Sequence, residues 1–104
     1  MNMIVQNKKQ IFGLVSEHRE ALSGLGVHRV GLFGSFVKDQ TDEESDVDLL
    51  VEFRPGEKSF DNFMELSFLF EDIFGRKVDL LTPESLSPYL GPKIMAEVEY
   101  GVVD

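Results

Sequence analysis

A small α/β (α+β) domain is the fold class this sequence predicts, and three observations predict it. Helical and strand periodicities alternate along the chain, Asp46 to Phe53 alternates with a period of two, and a long amphipathic helical pattern follows Ser59. In order, Ile4, Ile11, Leu14, Val15, Leu22 and Leu25 recur at helical spacings, so the first segment reads as one helix closing near Gly24 and Gly26. His28 to Phe33 reads as a strand running into Gly34. A short helix over Ser35 to Asp39 and a polar loop over Gln40 to Ser45 come next. The clearest strand, Asp46 to Phe53, places Val47, Leu49, Val51 and Phe53 on one face and Asp46, Asp48, Leu50 and Glu52 on the other. Arg54-Pro55-Gly56 ends it. Ser59 is the expected N-cap of a helix from Phe60 to Phe74, with Asp61 in its first turn and Gly75 beyond its end. Phe60, Phe63, Met64, Leu66, Phe70, Ile73 and Phe74 give that helix a broad apolar face. Arg76 to Thr82 reads as a third strand closed by Pro83, and Pro92 to Tyr100 as a last helix.

The 104 residues fit a single domain spanning 1–104, and 42% of them are hydrophobic, enough for a core without metals or disulfides. The absence of cysteine removes disulfides, thiolate metal sites and thiol nucleophiles, and agrees with a cytoplasmic location. No apolar run approaches the ~20 residues that cross a bilayer. The N-terminus lacks the apolar stretch of a secretory signal, so none is expected. A net charge of −9 argues against a long nucleic-acid backbone or an anionic membrane as partner. The acids are concentrated, with thirteen acidic against four basic residues between Asp39 and Asp79. From composition alone, a solvated acidic surface is the plainer reading of that excess.

Three features give the acids a chemical reading. Gly34-Ser35 sits where a strand gives way to a helical turn, so backbone N–H groups and a hydroxyl can face phosphate oxygens. Asp46 and Asp48, one residue apart on a strand, place two carboxylates on one face roughly 7 Å apart at Cα. Their mutual repulsion is relieved by a hard divalent cation such as Mg²⁺. Asp79 interrupts the apolar Val78-Asp79-Leu80-Leu81, where a buried, unpaired carboxylate would be costly. A cation shared with Asp46 and Asp48 would offset that cost, and three such acids can hold two metals for displacement at phosphorus.

Gly34-Ser35, ten intervening residues, Asp46-Val47-Asp48 and a later Asp79 resemble the signature of the nucleotidyltransferases related to DNA polymerase β. The resemblance is to their minimal nucleotidyltransferases, the antitoxin members of HEPN/MNT toxin–antitoxin pairs, and it covers nearly the whole chain. It implies the polymerase β-like fold, a small mixed sheet flanked by helices. It further implies that Gly34 and Ser35 hold the triphosphate of ATP or another NTP, with Lys38 alongside. Asp46 and Asp48 would bind Mg²⁺ and Asp79 would complete a second metal position, making these three the catalytic and metal-binding residues. The implied reaction moves AMP to a tyrosine hydroxyl of a partner HEPN toxin. The alternative is a non-catalytic antitoxin that neutralises its partner by occupancy, with a residual nucleotide site. Transfer to a small molecule is weaker, because relatives of that kind carry a further domain for the acceptor.

Val37-Lys38-Asp39 stands where relatives of this kind carry Ala-Arg-Gly. Lys38 keeps the charge but not the planar donor fork of Arg, and Asp39 adds a negative charge near the phosphates, which implies lower nucleotide affinity. His18 and His28 have no metal-ligand partner at useful spacing and read as structural or surface residues. Arg76-Lys77 reads equally well as a surface corner or as a triphosphate guide. Nine Phe read as a crowded core, with an exposed docking patch as the alternative.

Overall fold

The computed structural model describes residues 4–103. Met1 to Met3, part of the stretch read for a secretory signal, lie outside the described residues. A four-stranded mixed sheet in the order β3-β2-β1-β4 forms the centre, from β1 (Val27–Phe33), β2 (Val47–Phe53), β3 (Val78–Leu81) and β4 (Glu99–Val102). β1 pairs antiparallel with β2 and β4, and β2 pairs parallel with β3. The parallel step is made by α3 (Phe60–Phe74), since parallel neighbours need a crossover. Helices α1 (Lys8–Glu17), α2 (Arg19–Gly24) and α4 (Gly91–Glu97) complete the fold. No helix among the described residues is long and apolar enough to cross a membrane.

The first helical segment is broken rather than continuous. Ile4 is half-exposed, and the Val5 N–H bonds to the Phe74 carbonyl at 3.0 Å, so the chain enters extended. Asn7 then caps α1 by accepting from the Gln10 N–H at 2.9 Å. His18 ends α1 by bonding back to the Leu14 carbonyl through both its backbone N–H and its ring, which separates α1 from α2. Ile11, Val15 and Leu22 remain buried on both pieces, so the apolar periodicity survives the break.

α3 follows its local signals. Ser59 accepts from the Asn62 N–H at 3.1 Å, and Gly75 closes the helix at φ 68°, a left-handed conformation that favours glycine. Leu66, Phe70 and Phe74 are buried, with the Phe70 and Phe74 rings stacked at 5.4 Å. They meet Val47, Leu49 and Val51 of β2 and Val30 and Leu32 of β1 in one cluster. Phe60 and Phe68 instead face solvent, so the apolar face is narrower than its composition implies.

The C-terminus departs most from expectation. The expected helix over Pro92 to Tyr100 stops at Glu97, and Glu99–Val102 pairs with β1 as β4. A helix there would leave one side of β1 without a ladder, and an unpaired row of backbone groups is unfavourable when buried. Val98 packs on the sheet face opposite α3, where a side chain at Gly31 would stand 2.5 Å from its Cγ2.

Arg76 is no surface corner. Its side chain is buried, with Nε donating to the Val5 carbonyl at 2.7 Å and Nη1 to the carbonyls of Asp42, Glu43 and Ser45 at 3.0, 3.2 and 3.0 Å. Its guanidinium also lies 5.2 Å from the Phe36 ring centroid. One residue therefore ties the segment before α1, the loop before β2 and the turn after β1. Arg76→Ala is expected to destabilise the fold by about 2–4 kcal/mol in urea denaturation, because one buried and three part-buried carbonyls lose a charged donor. Arg76→Lys should recover little, since one ammonium lacks the planar fork that reaches all of them.

Candidate active site

β1 delivers Phe33 directly opposite Asp48 of β2, and the next residue, Gly34, turns the chain at φ 75°. A side chain at 34 is excluded twice over: that φ is strained for L residues, and an added Cβ would collide with the Asp48 carboxylate. Gly34–Phe36 forms a single 3₁₀ turn anchored by buried Phe36. The Lys38 N–H bonds back to the Gly34 carbonyl at 3.2 Å and the Gln40 N–H to Ser35 at 2.9 Å. Ser35 is half-buried within this turn. Asp39 adopts φ 56°, a left-handed conformation at the position where the resembled motif has glycine.

The parallel register of β2 and β3 sets Asp48 beside Asp79 on one face of the sheet. Asp46, two residues earlier, is exposed at the leading end of β2. Asp79 is exposed as well, because β3 is an edge strand that buries Val78 and Leu80 and turns the residue between them outward. The expected burial cost at Asp79 is therefore absent, and its case rests on its place beside Asp48. Leu50, expected on the polar face of β2, is fully buried yet stands outside the main apolar cluster.

Asp48 carries the electrostatic load. Burial chiefly, then the charges of Asp79, Asp46 and Glu97, push its carboxyl up to about 6. Glu97, at the end of α4, is the member that sequence reasoning missed. Its Oε1 accepts from the Gly34 N–H at 3.4 Å and its Oε2 lies 3.3 Å from Lys38 Nζ. It stands 63 positions from Gly34, so no local spacing could reveal it.

Asp46, Asp48 and Asp79 are neighbours without forming a ready-made cage, since among the described residues no three ligating side chains are gathered closely enough to hold an ion by themselves. That suits Mg²⁺, which is bound through one or two carboxylates together with substrate phosphates rather than in an all-protein cage. An open cavity of about 460 Å³, lined by Lys58, Phe60, Phe63, Leu81 and Thr82 among others, includes none of these carboxylates.

Residues 15–103 match the nucleotidyltransferase domain family. The chain belongs to that family. It is 33% identical over 99 residues to the protein adenylyltransferase MntA of Thermococcus cleftensis, covering 94% of this chain and 99% of the relative. The solved structure of a provisionally named minimal nucleotidyltransferase, 30% identical, superposes with a TM-score of 0.67 over 85% of this chain and 93% of that one. The fold is shared with a complex of tri-AMPylated Shewanella oneidensis HEPN toxin and MNT antitoxin, at 18% identity and a TM-score of 0.59 over 86% of this chain and 70% of that one. The nucleotidyltransferase fold expected from Gly34-Ser35 and Asp46-Val47-Asp48 is thus the fold observed.

Two outcomes test this geometry. Gly34→Ala is expected to lower stability by about 1 kcal/mol or more in denaturant melts, against near-neutral effects at open glycines such as Gly24. For Asp48, the folded chain retains a proton between the ordinary carboxylate value of 3.8 and about 6 that the unfolded chain has released. In metal-free protein this group's contribution therefore falls as pH rises through that window. Asp48→Asn should raise the melting temperature at pH 7.5 in chelator and leave it nearly unchanged at pH 4.

Proposed function

We propose that this nucleotidyltransferase is a Mg²⁺-dependent protein adenylyltransferase that moves AMP from ATP to a tyrosine hydroxyl of a partner HEPN toxin. The observation that carries the reading is the parallel register that sets Asp79 beside Asp48, which itself pairs with Phe33, the residue before the Gly34 turn. The name of the Thermococcus relative and the AMPylated toxin in the complex of shared fold support the donor and the partner.

The Gly34 N–H and the Ser35 hydroxyl hold phosphate oxygens, and Lys38 supplies a positive charge beside them. Asp46 and Asp48 hold Mg²⁺ and Asp79 completes a second position; the donor set fits, being all carboxylate oxygen. When bound, the metal neutralises phosphate charge and lowers the pKa of a nearby hydroxyl. Asp79, exposed on the edge strand β3, is the one an incoming acceptor meets. The tyrosine oxygen forms a bond to the α-phosphorus, its proton leaves toward Asp79, and the bond to the bridging oxygen breaks to release pyrophosphate. Phe60 and Phe68, both exposed on α3, give a partner apolar surface to dock against.

The test is incubation of the chain with α-labelled ATP, Mg²⁺ and a HEPN-type protein from the neighbouring gene. Label is expected on the partner, absent in chelator, and lost when the partner's acceptor tyrosine is changed to phenylalanine. Asp48→Asn or Asp79→Asn should slow transfer by roughly 10²–10⁴, the rate equivalent of several kcal/mol of charge stabilisation. Equal labelling by wild type and an Asp46→Asn/Asp48→Asn double variant would sink the metal assignment.

A non-catalytic, occluding antitoxin is the second reading, favoured by Asp39 beside the phosphate turn and by the pairing of Lys38 with Glu97. It requires full neutralisation of the partner with no label transferred and no Mg²⁺-dependent heat on titration with ATP.

A further inference from the structure

We infer that Glu97 is an internal occupant of the phosphate seat, holding the Gly34 amide and Lys38 until a triphosphate displaces it. This rests on the reading of Gly34 and Lys38 as phosphate-binding groups. One carboxylate reaches both: Oε1 accepts from the Gly34 N–H at 3.4 Å, and Oε2 lies 3.3 Å from Lys38 Nζ. A backbone amide and an ammonium converging on one anion are what a phosphate group also needs. Glu97 has little else to keep it there. It ends α4, where the negative end of a helix repels a carboxylate, and it adds to the charge that opposes ionisation of Asp48. Among the described residues these two contacts offset that repulsion, and the side chain is nonetheless three-quarters covered, with 25% exposed.

Displacement requires only rotation of the Glu97 side chain. The backbone beyond it is held by the Val98 N–H bond to the Ile94 carbonyl at 2.9 Å and by Val98 against Gly31. Nucleotide therefore competes with an anion carried by the chain itself. Its apparent affinity is the intrinsic affinity scaled by the fraction of molecules whose seat is open. A fourth metal ligand or a proton acceptor at the same position would act in the opposite sense, because its removal would weaken binding or slow the chemistry.

The test is calorimetric titration of the full chain with Mg²⁺ and AMP-PNP, comparing wild type, Glu97→Gln and Glu97→Ala, with thermal melts alongside. Both variants are expected to bind about fivefold or more tightly, since a like charge leaves the seat. The gain should appear in the KM for ATP rather than in kcat. Lys38→Met should weaken binding more in the Glu97→Gln background than in wild type, where Glu97 already neutralises the lysine. A purely structural role would lower the melting temperature without tightening binding. Unchanged or weaker binding by Glu97→Gln, with wild type still binding, overturns the inference and leaves the proposed function standing. Absence of nucleotide binding by wild type and both variants overturns the phosphate-seat reading itself.

Discussion

The site depends on one close approach: the Asp48 carboxylate occupies the space that a side chain at position 34 would need. Glycine at 34 satisfies both that contact and a backbone turn at positive φ, so the end of β1 bends sharply and leaves its amide facing the carboxylates. The surrounding structure maintains the approach. Antiparallel pairing holds Phe33 against Asp48, buried Phe36 pins the turn, and the parallel ladder brings Asp79 to the other side of Asp48. A one-residue slip of β2 against β1 would turn Asp48 to the opposite face, and one of β3 against β2 would do the same to Asp79; either dissolves the cluster.

Electrostatics follow from that geometry. Asp46, Asp48, Asp79 and Glu97 all act on one region, and burial of Asp48 in their company raises its proton affinity. An unrelieved group of like charges is unfavourable, so the arrangement makes sense as a receptor for cations and for the anions that cations bring with them. The chain's net charge of −9 first reads as a bar to phosphate-bearing ligands. Located on the strands, part of the same excess gathers beside the Gly34 turn, where the proposed function gives it a metal-bridged nucleotide to hold.

Legibility tracked the range of the interaction. The Phe60–Phe74 helix was readable to its ends because Ser59, Gly75 and the apolar spacing all act within a few residues. The alternation of Val47, Leu49 and Val51 gave β2, and the short distance from Gly34-Ser35 to Asp46 and Asp48 gave the metal and phosphate candidates. Arg76 misled, because an arginine at a helix-to-strand corner looks solvent-facing until Val5 and the 42–45 carbonyls arrive from distant parts of the chain. Asp79 was identified for a partly mistaken reason: its position beside Asp48 holds, but an edge strand lets its carboxylate reach water.

From residue order alone came the family signature, the sign and place of the charge, and the elements whose caps and periodicities are local. Tertiary structure decided the rest. The strand Glu99–Val102 forms because β1 offers it a ladder, an energy absent from any local window, and that change ends α4 where Glu97 can turn toward Gly34. Contacts between residues dozens of positions apart leave no periodic trace, since their strength comes from burial and alignment that exist only once the sheet has assembled.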